Sequence, residues 1–256
     1  MDIQGYKLKD SMEKYPQAKL RDLVYTLLYD SIINLQILPG TKLNVNQLAS
    51  ALGISRTPVA EAVALLSDNG FVVSRPGQAG SFVLSLELKD MISLYRARTA
   101  IECEAAAICA HSLGESTVRE LSLLAEAFKD SVLRKDIRGM RDTDMPFHKL
   151  IINSCGNEYI IKSYELLLPR LTMYQSSMTE FIYLSDSEEN PWLPSVTYNH
   201  ISVVSAIRLR LPELARQAMA DHVNASLSFT SLFGDGADPF LQLEQRDAAS
   251  VKEGVK

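Results

Sequence analysis

Cysteine is scarce in this chain. Three occur in 256 residues, Cys103, Cys109 and Cys155. That is too few, and too odd a number, for a disulfide scaffold. The nearest two stand six positions apart, which is not a metal-binding spacing. They are read as buried free thiols in a reducing, bacterial-style cytoplasm. Long apolar runs are also missing. None approaches the ~18 residues of a membrane span, and MDIQGYKLKD has no apolar stretch behind it of the signal-peptide kind. Nor is positive charge in surplus, since 26 Lys+Arg against 31 Asp+Glu leave −5 at pH 7. A strongly basic chain would by itself have pointed to nucleic acid. Here any such contact must come from local placement of charge. No H-E-x-x-H pair, no His-Asp pair and no activated Ser or Cys setting is present, which removes the usual hydrolytic signatures.

The charge that is there is uneven. Residues 1–84 carry 8 basic and 7 acidic side chains, and residues 85–256 carry 18 and 24. The composition is that of an ordinary globular protein, and 256 residues are enough for two ordinary domains or one large one. Residues 1–18 read as a loose polar arm. From residue 19, Leu20, Leu23, Val24, Leu27, Leu28 and Leu35 recur at helical steps until Pro39-Gly40. A short helix near Val45–Leu52 buries Leu48, Ala49 and Leu52. Gly53 makes the turn, because a left-handed backbone costs glycine little. Ser55 is a good N-cap for the next helix, and Pro58 falls in its first turn, where a missing N–H is harmless. Val59, Val63 and Leu66 mark its buried side, and Asn69-Gly70 ends it. Phe71–Ser85 then reads as a β-hairpin around a Pro-Gly turn.

Helix, helix, turn, helix and hairpin is the order of a winged helix-turn-helix. Such folds place the start of the second helix in the major groove. Arg56 and Thr57 stand there, residue types that bond phosphates and base edges.

After Leu86 the pattern is helical throughout, near 88–112, 116–134, 137–154, 157–168, 170–183, 195–209 and 212–232. Breaks are expected at Gly114, Lys135-Asp136, Gly156, Pro169, Asn190-Pro191 and Pro212. Ser185–Pro194 is read as a polar loop and 234–256 as a disordered tail. The fold class is thus mainly α: a winged helix-turn-helix over 19–85, then an all-helical antiparallel bundle over 86–233. Asp144 and His148 lie four apart and share one helix face. His200 and His222 sit on later helices of the same domain, and the chain has only four histidines. A histidine on such a stripe can equally be a hydrogen-bonded core residue. One Asp with three His suits Zn²⁺, Ni²⁺ or Mn²⁺. His111 is left as a helix-end residue.

The run NQLASALGISRTPVAEAVALLSDNGFV, followed by RPGQAGSFV, resembles the GntR family of bacterial transcription regulators. The resemblance covers residues 20–84. It implies DNA contacts from Ser55, Arg56 and Thr57 and from the wing at Arg75 and Gly77. The chain departs from the family at Ala60, where Arg is usual before Glu61, and at Asn44 and Asn46, where a charged residue is common. Loss of one phosphate-contacting Arg lowers the salt slope of binding by about 0.9.

Residues 88–232 resemble the FCD effector domain of the FadR-like branch. The carrying residues are Arg98 and Glu102, then Asp144, Phe147, His148 and Asn157, then His200 and His222. The resemblance implies a divalent metal held by Asp144, His148, His200 and His222. It also implies a small carboxylate effector reaching that metal and an arginine. Arg98 is the first choice for the arginine, unless it is spent on an ion pair with Glu102 four residues on. Arg170 and Tyr174 are further candidates for the cavity wall, and Asn157 is read as a cap. Asn199 departs from a common Glu outside the ligand set. The expected protein is a cytoplasmic homodimeric repressor, with no membrane partner, on a near-palindromic operator of double-stranded DNA. A metal-dependent hydrolase or lyase built on the helical domain is the rival reading, and a protein-binding adaptor a third.

Overall fold

The computed structural model describes residues 5–184 and 197–227, together with 238 and 240. The described residues fall into two compact units that divide between Glu87 and Leu88, with 238 and 240 belonging to the first. No helix among them is long and apolar enough to cross a membrane. The polar loop expected at 185–194 lies outside the described residues, as does most of the expected tail. Of that tail, Phe240 is fully buried.

The first unit holds helices α1 (Gly5–Lys14), α2 (Leu20–Ile33), α3 (Val45–Leu52) and α4 (Arg56–Asp68). Three short strands complete it: β1 (Lys42–Leu43), β2 (Val72–Arg75) and β3 (Gln78–Val83). Val24, Leu28 and Ile32 recur every four residues on α2 and are fully buried, as are Val59, Ala62 and Leu66 on α4. The two helices pack on these faces. Each such aliphatic side chain contributes about 1.5–3 kcal/mol by leaving water. Asn44 caps α3 by accepting the amides of Asn46 and Gln47. Gly53 takes φ 68 at its other end, as the turn requires.

Three features differ from expectation. The opening segment is not a loose arm, because α1 forms, buries Leu8 and packs on α2 and α3. Helix α2 ends at Ile33, well before Pro39-Gly40. Leu35 adopts φ 54, and the amides of Leu35 and Gln36 return to the carbonyls of Ile32 and Ser31. That is a Schellman closure built on a residue other than glycine. The hairpin of β2 and β3 forms as expected, and β1 joins it on the free side of β3, giving the antiparallel order β1-β3-β2. Lys42 faces Phe82, and Val72 faces Val83. Two residues are too short a strand to leave a periodic signal.

The second unit contains α5 (Leu88–Ser112), α6 (Glu115–Leu133), α7 (Ile137–Ser154) and α8 (Glu158–Leu184). It closes with α9 (Asn199–Arg208) and α10 (Pro212–Leu227). Helix α5 is its axis and packs on α7, α8, α9 and α10. Ala105, Ala106, Ala107, Cys109 and Ala110 are all buried there, so small side chains let neighbours approach from every direction. All three cysteines are free and buried. Asn157 accepts the amides of Tyr159 and Ile160, and so caps α8. Pro169 does not break that helix: α8 runs through it. The ring removes one amide and leaves the carbonyl of Glu165 without its helical donor. Pro146 sits inside α7 in the same way.

Helices α6 and α9 end as α2 does. Lys135 takes φ 55 and Arg210 φ 57, each with the paired return bonds of a Schellman closure. A left-handed conformation costs a non-glycine residue about 1 kcal/mol. Lys135 is exposed. Lys135→Gly is therefore expected to stabilise the protein by roughly 0.5 kcal/mol after the added freedom of the unfolded chain is counted. The midpoint of urea unfolding checks this, and an unchanged or lower midpoint would refute it.

Candidate functional site

The helix-turn-helix presents its candidate residues to solvent. Ser55, Arg56 and Thr57 are all exposed at the start of α4. Ser55 occupies the N-cap position, but its hydroxyl makes no capping bond. Arg56 lies 3.5 Å from the side-chain oxygen of Asn46 on α3, so the neutral Asn46 steadies the cation across the turn. Ala60 is also exposed, on the next turn of α4. In the wing, Gly77 takes φ 72 in the loop between β2 and β3. Arg75 is less free than expected: its guanidinium lies 4.8 Å from the Phe82 ring and donates to the Ser85 hydroxyl. Lys19 and Arg21 border one groove with Ser55 and Thr57. Sequence reasoning passed over both, because they precede the motif by more than thirty positions.

The four predicted ligands come together in the second unit. Asp144 and His148 project from α7, His200 from α9 and His222 from α10. The three histidines are fully or almost fully buried, and Asp144 nearly so. One ligand atom from each falls within 4.8 Å of the others. Nε2 of His222 and of His148 are 3.0 Å apart. Asp144 Oδ1 is 3.2 Å from His200 Nε2 and 3.7 Å from His148 Nε2. Metal–nitrogen bonds of about 2.1 Å place neighbouring ligands roughly 3.0 Å apart at a right angle and roughly 3.4 Å apart at the tetrahedral angle. The separations of 3.0 and 3.2 Å fall in that range and that of 3.7 Å lies just above it. Without a cation, two imidazole nitrogens at 3.0 Å must share a proton, or their lone pairs would face each other.

The surroundings set the charge and orientation of these groups. Phe128 and Phe147 set their rings edge-on to His200, at 4.4 and 4.3 Å between centroids. Burial, and then the neighbouring histidines, push His222 well below the usual histidine range. Burial likewise lowers His200, despite the opposing carboxylate of Asp144. Both shifts favour the neutral imidazole, which keeps one nitrogen unprotonated. Burial opposes the charge on Asp144, yet His148 and His200 hold its pKa well below the usual range. His148 differs. Burial would lower it, but Glu102 and Asp144 raise it.

Glu102 is the residue whose importance the spacing concealed. It is fully buried on α5, with Oε1 accepting Nε of Arg98 at 2.6 Å and Oε2 lying 2.6 Å from Nδ1 of His148. Burial would raise its pKa, but Arg98 and His148 bring it to about 2. Burial and the charge of Glu102 push the Tyr164 phenol well above its ordinary value. A signal was available, because Arg98 and Glu102 continue the stripe of Met91, Tyr95 and Cys109, all buried. Charged residues on a core stripe call for partners.

Arg98 therefore makes its ion pair with Glu102 and still keeps one hand free. Its Nη2 is buried without a hydrogen bond, and the residue borders a cavity of about 40 Å³. Asp144, His222, Gln175 and Thr179 also line that cavity, and Met140 and Met178 supply apolar wall. Gln175 donates to Asp144 Oδ2 and so holds the carboxylate from the cavity side. Neither Arg170 nor Tyr174 is among the lining residues. Both bond Oδ2 of Asp90 instead, at 3.1 and 2.8 Å, because their face of α8 meets the first turn of α5. His111 is exposed in the last turn of α5.

Comparison with known proteins agrees with this geometry. Residues 20–83 match the bacterial regulatory proteins of the gntR family, and residues 93–225, more than half of the chain, match the FCD domain. The HTH-type transcriptional repressor RspR of Escherichia coli (strain K12) is 25% identical over 209 residues, 81% of this chain and 87% of that one. The gluconate operon transcriptional repressor of Bacillus licheniformis is 27% identical over 192 residues, 73% of this chain and 75% of that one. Among solved structures, E. coli McbR/YncC aligns with a TM-score of 0.67 at 20% identity, covering 85% of this chain and 100% of that one. At that identity the likeness speaks for the fold. The matched proteins are transcription regulators, which sets aside the hydrolase or lyase reading. The chain therefore belongs to the GntR family of DNA-binding bacterial transcription regulators, with an FCD domain as its second part.

Proposed function

We propose that this protein is a repressor whose hold on its operator is set by a small carboxylate, bound beside a divalent metal in the helical domain. The observation that carries the reading is the convergence of three histidine nitrogens and one carboxylate oxygen on one buried point, next to a cavity that Arg98 borders. Such a donor set suits Zn²⁺, Ni²⁺ or Mn²⁺ and leaves positions for a ligand oxygen. The metal would supply a fixed positive centre. Arg98 would bind the rest of an anion through charge-assisted hydrogen bonds. A water needs roughly 10–15 Å³ of such space, so a 40 Å³ cavity suits a ligand of few non-hydrogen atoms. Two relatives named as repressors favour that sign of regulation.

In this reading residues 19–85 are the DNA-binding head, 86–233 the effector-binding and dimerisation domain, and 234–256 a tail. The cytoplasmic homodimer sets two heads on a near-palindromic operator. Ser55, Arg56 and Thr57 enter the groove, with Gly77 and Arg75 of the wing beside them. The effector acts only through its difference in affinity between the bound and released arrangements.

Elemental analysis of the purified protein is expected to find about one divalent metal per chain, lost in a His148→Ala, His200→Ala double variant. In the metal-loaded protein, carboxylates of two to four carbons are expected to release operator DNA. No metal after dialysis against Zn²⁺, Ni²⁺ and Mn²⁺ would overturn the sensor and leave the DNA-binding head standing. For the head, Ala60→Arg restores a cation on the exposed start of α4. It is expected to tighten operator binding and steepen the slope of log affinity against log salt by about 0.9. An unchanged slope in fluorescence anisotropy would show that position 60 does not face a phosphate.

A further inference from the structure

The metal seat and the effector cavity meet at one carboxylate. Glu102 divides its two oxygens, Oε1 to Nε of Arg98 and Oε2 beside Nδ1 of His148, each at 2.6 Å. Both atoms are buried without a hydrogen bond of good angle, and at 2.6 Å from one another they are close enough to form one. A neutral imidazole binds a metal only through its unprotonated nitrogen. A proton held on Nδ1 by a carboxylate leaves Nε2 bare, and Nε2 is the atom that faces His222 and Asp144. Arg98, at the other end of the carboxylate, has a buried Nη2 without a hydrogen bond and is one of the residues that line the cavity.

We propose that Glu102 is a positioning residue of the metal seat, fixing the tautomer and ring orientation of His148 and tying that ligand to Arg98 at the effector cavity. The inference rests on the metal reading above and adds to it a group that touches neither metal nor effector. A purely structural Glu102, present only to neutralise Arg98, would leave the His148 tautomer unaffected.

Glu102→Gln separates the two roles at constant size. The amide oxygen can still accept from Arg98. The amide nitrogen can only donate, so beside Nδ1 it moves the ring proton to Nε2 and blocks the ligand atom. The experiment is ¹⁵N NMR of histidine-labelled, chelator-treated full-length protein, followed by Zn²⁺ titration against a competing dye. In the parent, at a pH where its imidazole is neutral, His148 is expected to carry its proton on Nδ1. In Glu102→Gln the proton is expected on Nε2, and Zn²⁺ binding is expected to weaken by about 10–100-fold. A melting curve confirms that the variant is folded, and the parent spectrum tests the tautomer without any variant. A neutral parent His148 whose one ring proton is on Nε2, or a folded Glu102→Gln protein that binds Zn²⁺ as tightly as the parent, overturns the proposal and leaves the metal site intact. A parent that binds no Zn²⁺, Ni²⁺ or Mn²⁺ overturns the metal reading and the proposal together.

Discussion

The helical unit depends on making burial of charge tolerable. Arg98 and Glu102 are almost completely withdrawn from water on its central helix. Removing a charge from water costs several kcal/mol even after relaxation, and attraction offsets that cost only where geometry and hydrogen bonding are good. The structure meets the condition by chaining groups. Arg98 lies over the Tyr95 ring at 5.2 Å, Glu102 takes Arg98 and adjoins His148, and His148 faces Asp144, which Gln175 holds in turn. Remove one member and its neighbours are left as uncompensated buried groups. The small side chains of α5 belong to the same solution, because close packing of four helices excludes the water that would otherwise screen these contacts.

The DNA-binding head obeys the opposite rule. Ser55, Arg56 and Thr57 are exposed and Arg75 is partly so, and Asn46 and the Phe82 ring adjoin the cations Arg56 and Arg75 without neutralising them. A head with almost no net charge can still offer positive charge where a phosphate would lie. This is why bulk composition said little about nucleic acid while a short motif said much.

How far the sequence could be read follows the same division. The turn at Gly53, the start of α4 and the hairpin wing were legible, because each depends on local backbone chemistry. The convergence of Asp144, His148, His200 and His222 followed from spacing, the rarity of histidine and the family resemblance. What escaped was non-local or unmarked. Leu35, Lys135 and Arg210 close helices in a left-handed conformation that their side chains do not advertise. Strand β1 exists only because β3 offers it an edge. Arg170 and Tyr174 are on the right helix, but Asp90 takes both, and nothing in their spacing says so. Pro169 looked like a boundary because proline weakens a helix, yet packing on α5 and α7 carries α8 across it.

That proline has a mechanical consequence. Helix α8 has 27 residues, a rod of about 40 Å. A rod with one rung missing is least stiff at that rung. Tyr164, beside Glu102, lies before the weak point, whereas Gln175, Met178 and Thr179, which wall the cavity, lie beyond it. The half that walls the cavity and the half that adjoins the buried charges therefore meet where proline removes a backbone hydrogen bond from α8.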